Sequence, residues 1–194
     1  MTPTARPTQL ARPIRAAVLT VSDRCSRDQA SDTSGPALVE ILRTRLAAEV
    51  AHTRCLPDER DQLAACFLEW SQAARQIDLV LSTGGTGLAP RDITPEAARD
   101  VLEREHPGLM ELARLRCLEK TPRTFLSRGV AGTIGRTLII TLPGSQRAST
   151  DTLEALLDIL PHAIETLRGD VKDDGRPQLP ESDVPGAKVI RHAR

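Results

Sequence analysis

Aromatic residues are nearly missing from this chain: two Phe, one Trp and no Tyr occur in 194 residues. Phe67, Trp70 and Phe125 cannot build the stacking platform on which single-stranded nucleic acids are held. A surplus of one charge is missing too. Basic and acidic residues balance at 26 each, so no basic field draws in nucleic acid without regard to sequence. Small molecules are favoured over polymers as partners. Cys25, Cys55, Cys66 and Cys117 include no C-x-x-C pair, and His52, His106, His162 and His192 show no zinc spacing. The thiols are expected to be unpaired in a reducing compartment. No apolar run approaches the roughly 20 residues a membrane-spanning helix needs. Residues 1–13 carry Arg6, Arg12 and three prolines without an apolar segment of the secretory kind. They are expected to form a disordered leader on a cytoplasmic protein.

What is present suits one domain. Hydrophobic residues make up 40% of the chain, enough for one sizeable core. Arg15–Val21 reads as a short buried strand, and 22–34 as a polar loop. Gly35-Pro36 opens a helix to about residue 48, with Leu38, Ile41, Leu42 and Leu46 at helical spacing. Glu49–Leu56 is a more polar strand, 58–75 a helix striped by Leu63, Cys66, Phe67 and Trp70, and 78–82 another strand. Thr94 is expected to cap a helix over 94–104. Pro107-Gly108 starts another, to about 118. Strands are expected at 125–129 and Thr137–Leu142, and one long amphipathic helix over 149–168. From 169 the chain is rich in Asp, Pro and Gly and reads as a tail. Alternating strands and helices predict an α/β fold of three α/β/α layers around a mostly parallel sheet. Ligands of such sheets sit beyond the carboxyl ends of the strands. Four loops qualify: 22–35, Pro57-Asp58-Glu59, 84–92 and Pro143-Gly144-Ser145.

The third loop carries the most information. Residues 82–96 read STGGTGLAPRDITPE. Gly84, Gly85 and Gly87 let backbone N–H groups approach an anion closely, and Thr83 and Thr86 add hydroxyl donors. Asp92 would repel a bare phosphate, which suggests a metal ion between the two. The segment is neither a Walker A loop nor a dinucleotide fingerprint. Plainer readings stand beside this one. The glycines also suit a tight turn with positive φ. Asp58 sits where a helix N-cap is expected, Asp92 could shape a turn, and Asp23 and Asp32 could bond their own loop. Ser34-Gly35-Pro36 is also a helix start, Ser145 could be a cap, and Arg91 could be a solvated surface residue.

Four motifs in order resemble the signatures of the molybdopterin-binding domain family: Ser22-Asp23-Arg24 with Asp32-Thr33-Ser34-Gly35-Pro36, Leu56-Pro57-Asp58-Glu59, residues 82–96, and Leu142-Pro143-Gly144-Ser145. The resemblance covers about residues 14–168. It implies a three-layer α/β domain assembled as a homotrimer. It implies a reaction in which molybdopterin is adenylylated by ATP with Mg²⁺, releasing pyrophosphate, before a molybdenum-insertion protein receives the product. By the same resemblance, Asp58 and Asp92 match the functional aspartates and would hold the metal. Ser22, Asp23, Ser34, Gly35, Gly84, Gly85, Thr86 and Gly87 would contact nucleotide or phosphate. Arg91, Pro143, Gly144 and Ser145 would contact the pterin or its phosphate, and Arg24 is a further phosphate candidate. A relative that binds molybdopterin without efficient adenylylation is the alternative. The chain departs from the family pattern twice. Arg27-Asp28-Gln29 stands where a glycine is common in the first loop, and Gln146 follows Ser145 where a proline is common.

Overall fold

The computed structural model describes residues 12–170. The expected tail from 171 onward and the leader up to residue 11 lie outside the described residues. A six-stranded sheet has the order β2-β1-β3-β6-β5-β4. Its strands are β1 (Arg15–Val21), β2 (Glu49–Leu56), β3 (Leu79–Thr83), β4 (Arg104–Glu105), β5 (Ala131–Ile134) and β6 (Thr137–Leu142). β2, β1, β3 and β6 run parallel, and β5 and β4 are antiparallel additions at one edge. The sheet is therefore mostly parallel, and its central strands are continuous apolar runs because both faces are covered.

Successive side chains of a strand point to opposite faces, and the two faces have separate cores. On one face Ala16, Val18, Leu79, Leu81, Leu138 and Ile140 pack against helices α1 (Ser34–Leu46), α4 (Pro107–Cys117), α5 (Gln146–Glu154) and α6 (Leu160–Arg168). On the other, Ala17, Leu19, Val80 and Ile139 meet α2 (Arg60–Trp70) and α3 (Thr94–Arg99). Phe67 and Trp70, two of the three aromatic residues, are fully buried there. The result is the three-layer arrangement that alternation predicts.

Several boundaries differ from the sequence-based expectation. The helix expected over 94–104 stops at Arg99, and Arg104–Glu105 pairs with β5 instead. Pro107 disfavours helical backbone at its predecessor, and His106 sits outside the helical region at φ −124°, ψ 71°. The strand expected over 125–129 is a 3₁₀ turn, Pro122–Leu126, followed by an extended link. Pro122 favours that turn, Thr121 caps it, and the real strand begins at Ala131. The single helix over 149–168 is two. α5 starts earlier, at Gln146, and ends at Glu154; α6 begins at Leu160 with Pro161 in its first turn, where the missing N–H is tolerated. The helix over 58–75 is shorter, Arg60–Trp70, with a 3₁₀ turn at Ala73–Arg75.

At the amino ends of the strands, buried Asp78 gathers two arginines from distant parts of the chain. Arg168 of α6 donates to it at 2.9 and 2.7 Å, and Arg12 at 3.0 and 2.8 Å. The Arg15 N–H adds a bond of 2.8 Å. Arg12 and Pro13, expected to belong to the leader, are thus tied to the body, since Arg168 also donates to both of their carbonyls.

Candidate functional site

The four candidate loops all leave the carboxyl ends of parallel strands: β1, β2, β3 and β6 in turn. The structure brings them together. The first two interlock through reciprocal bonds, with the Asp23 N–H donating to Asp58 Oδ2 at 3.2 Å and the Asp58 N–H to Asp23 Oδ1 at 3.3 Å. The third joins the first two through Arg91, whose guanidinium donates to both Asp23 oxygens at 3.1 and 2.9 Å and to Glu59 at 2.9 Å. The fourth meets the third where Thr83 donates to the Pro143 carbonyl at 2.7 Å and the Gly84 N–H to the Leu142 carbonyl at 3.2 Å.

The backbone of the third loop explains its glycines. Gly84 and Gly85 have φ of 110° and 61°, a region that L side chains rarely adopt. A Cβ on Gly85 would collide with Thr94 Oγ1 and lie 2.7 Å from Asp58 Oδ1. A Cβ on Gly87 would lie 2.8 Å from Asp92 Oδ2. The two carboxylates therefore flank the glycine loop, one toward each end. Among the described residues, the N–H groups of Gly85, Thr86, Gly87 and Leu88 donate to no protein acceptor. Four uncommitted donors in succession are available to an anion. Thr94 Oγ1, buried against Gly85, also has no partner.

The carboxylates differ in environment. Burial pushes the Asp58 carboxyl up, and the neighbouring Asp23 and Asp92 charges add to that against the Asp23 N–H bond and Arg91. The Arg91 hydrogen bond instead holds the Asp23 carboxyl down. Asp92 accepts the Ala89 N–H at 2.8 Å and so also closes its own turn. Asp58 caps no helix: the α2 N-cap is Glu59, without a side-chain bond. Thr94, expected as a cap, lies inside α3, whose N-cap is Ile93. Ser145 does cap α5, accepting the Ala148 N–H at 3.3 Å.

Not every candidate reaches this cluster. Ser34 and Gly35 engage Asp32, whose carboxylate accepts the Gly35 N–H at 2.9 Å and the Thr20 hydroxyl at 2.6 Å. They fasten the start of α1 to β1. The Ser22 hydroxyl accepts the Cys25 N–H at 3.3 Å and shapes the first loop. In that loop Asp28 takes φ 57°, so the glycine-like backbone persists without the glycine, and Asp tolerates it better than most residues.

Beside the glycine loop lies a cleft of about 270 Å³ lined by Thr86, Gly87, Pro143, Gly144, Ser145 and, from the α4–β5 connection, Lys120, Thr121, Arg123 and Ser127. Sequence reasoning missed this last group because its residues follow no loop of the parallel strands. It also missed Arg128, which donates to the carbonyls of Gly87 at 2.8 Å and Asp92 at 2.7 Å and pairs with Glu96. The connection's position across from the third loop is visible only once the antiparallel edge is known.

No group of three or more His, Cys, Asp or Glu side chains among the described residues is arranged to hold a metal ion. Two carboxylates beside a loop with uncommitted N–H donors fit a different arrangement. Mg²⁺ keeps several waters and is bound by one or two carboxylates together with substrate phosphates. Asp58 and Asp92 are the carboxylates available for such a role beside the loop. A dedicated protein cage for calcium or zinc is not what they form.

This fold and loop constellation define a class. The description "Probable molybdopterin binding domain" matches residues 17–162. The chain belongs to this molybdopterin-binding family. It is 39% identical over 154 residues to the molybdenum cofactor synthesis protein cinnamon of Drosophila melanogaster, covering 79% of this chain and 26% of that protein. The chain thus spans about a quarter of that relative. It is 38% identical over 157 residues to a molybdopterin adenylyltransferase of Helicobacter pylori, covering 80% of this chain and 89% of that one. Among solved structures, the molybdopterin biosynthesis enzyme MoaB of Thermus thermophilus superposes with a TM-score of 0.76 at 48% identity, covering 80% of this chain and 97% of the other.

Proposed function

We propose that this chain acts in molybdenum cofactor biosynthesis as a molybdopterin adenylyltransferase. The terminal phosphate of molybdopterin attacks the α-phosphorus of ATP. A new P–O bond forms, the bond to the β-phosphate oxygen breaks, and pyrophosphate leaves. Two polyanions have to meet, so positioning and charge neutralisation carry most of the catalysis. The observation that carries the reading is the run of four uncommitted N–H donors at Gly85 to Leu88, flanked by Asp58 and Asp92.

In this reading the glycine loop cradles phosphate oxygens as charge builds on them. Asp58 and Asp92 hold Mg²⁺, which when bound neutralises phosphate charge. Ser22 and Asp23 set the first loop against Asp58. The cleft beside the loop seats the pterin, with Ser145, Thr121 and Ser127 as hydrogen-bonding groups. Lys120 is already paired with Asp151 at 2.6 Å, so Arg123 is the readier cation for an anionic ligand there. Homotrimer assembly, a cytoplasmic location and delivery of the product to a molybdenum-insertion protein belong to the same proposal. Exposed Leu115, Leu118, Phe125 and Leu126 near the cleft offer an apolar surface for such contacts.

The test is steady-state turnover with molybdopterin, ATP and Mg²⁺. Asp92→Asn keeps an acceptor for the Ala89 N–H but loses the charge. It should fold normally and lose about 10²–10³-fold in kcat, the scale of removing one electrostatic stabiliser. Asp58→Ala should behave alike. Near-normal turnover in both variants would reject the metal roles, and pterin binding without any adenylylation by the unmodified protein would reject the enzyme.

A further inference from the structure

Arg128 makes a set of contacts for which the adenylyl-transfer chemistry has so far had no use. Its own N–H donates to the Thr86 carbonyl at 2.8 Å. Its guanidinium reaches the carbonyls of Gly87 and Asp92, and the Glu96 carboxylate anchors the remaining nitrogen. Burial pushes the Glu96 carboxyl up, but the Arg128 bond, a backbone hydrogen bond and the charges of Arg128 and Arg99 together hold it below the usual range. One residue of the α4–β5 connection thus holds three carbonyls of the glycine loop and its Asp92 turn.

Which way those carbonyls face decides which way the donors face. A trans peptide points its C=O and its N–H to opposite sides. The three carbonyls belong to the peptides that carry the N–H groups of Gly87, Leu88 and Ile93. All three N–H groups therefore face away from Arg128, and among the described residues none donates to a protein acceptor. Glycine backbone on its own does not choose this orientation, because it adopts either sign of φ with little cost.

We propose that Arg128 is a positioning residue. It turns the Thr86–Gly87, Gly87–Leu88 and Asp92–Ile93 peptides so that their donors face the phosphate, and it fixes the backbone from which the Asp92 carboxylate projects. The inference rests on the phosphate-transfer reading of the site. The Thr86 bond comes from the Arg128 backbone, but those to Gly87 and Asp92 need a planar fork: Arg supplies five donors in fixed geometry, whereas Lys is a point charge on a flexible stem.

Arg128→Ala and Arg128→Lys are to be compared with the unmodified protein in two experiments. The first is turnover with molybdopterin and Mg-ATP, with and without added methylguanidinium. Both variants should lose about 10²-fold in kcat, the cost of an ångström-scale misplacement, with the KM for molybdopterin changed less than threefold. Methylguanidinium should restore part of the activity of the Ala variant. The second is amide hydrogen exchange of the ligand-free protein, followed at the hydrogen-bonded loop amides of Ala89, Asp92 and Thr94, which does not depend on activity. Exchange there should accelerate at least tenfold in both variants while the sheet amides stay unchanged. Turnover within twofold of normal in either variant would overturn the proposal; so would unchanged exchange, or a loss that methylguanidinium does not relieve. Faster loop exchange in variants of a protein that shows no turnover in any form would keep the positioning role and overturn the adenylyltransferase instead.

Discussion

Asp23, Asp58, Glu59 and Arg91 form a network in which one cation serves three carboxylates from two loops. Its electrostatics make a prediction about pH. Arg91 lowers the Asp58 carboxyl against burial, which raises it. Removing Arg91 takes away a favourable charge, so the Asp58 value should climb further. The acid limb of kcat/KM in Arg91→Ala should therefore move to higher pH, as a pH–rate profile would read directly. An unmoved limb would mean that Asp58 does not control it. Gly85 makes a second prediction at this scale. Alanine there has to hold φ near 61° and displace Thr94 Oγ1. Gly85→Ala should cost roughly 1–2 kcal/mol from the backbone alone, measured by urea unfolding, and should abolish turnover. Backbone demands were legible in the sequence where they followed a parallel strand. The motif containing Gly84, Gly85, Gly87 and Asp92 announced a tight glycine turn, and the departure at Asp28 announced a strained position; the structure shows positive φ at Gly84, Gly85 and Asp28. Arg128 was not legible, since a lone arginine after a loop carries no pattern until its partners are known.

Elements set where those residues stand. The parallel strands β1, β3 and β6 were readable because their apolar runs are buried on both faces, as doubly covered sheets require, whereas β2 at the edge is more polar and has no buried residue. The failures fell where prolines and short antiparallel pairing decide the outcome. Pro122 turned an expected strand into a 3₁₀ turn, and Pro161 marks the start of a second helix where one was expected. β4 has two residues, too few to show a period. Ser145 links element to site: it caps α5 and lines the cleft. Ser145→Ala should destabilise the fold by about 1 kcal/mol, the usual value of a lost N-cap, in a denaturation series. Ser145→Asp should retain the cap. A zero effect for the Ala variant would show that α5 is held by its apolar face alone.

At the scale of the molecule, Asp78 closes the fold at the end opposite the site, joining Arg12, the start of β1 and the last turn of α6. Burial alone would raise its carboxyl, but the bonds from Arg168, the Arg15 N–H and Arg12 hold it below the usual range. A depressed folded value stabilises the protein fully above the unfolded value of about 3.9, and that stability is lost as pH falls through the folded value. Asp78→Ala leaves Arg168 buried without its partner, an effect of about 3–5 kcal/mol. Unfolding midpoints at neutral pH and at pH near 3 would check both statements, because the variant's deficit should shrink on acidification. A deletion that removes Arg12 should lower stability, as the same unfolding midpoints would read.

The central claim is that a phosphate cradle between two carboxylates transfers the adenylyl group to molybdopterin. The most direct measurement uses ATP labelled in its α-phosphate, with molybdopterin and Mg²⁺, and follows the label. One α-phosphate per pterin is expected in the product, with an equal amount of unlabelled pyrophosphate, and both should be lost in Asp92→Asn. Label that stays on ATP or appears only as free AMP, while molybdopterin binds, would contradict it.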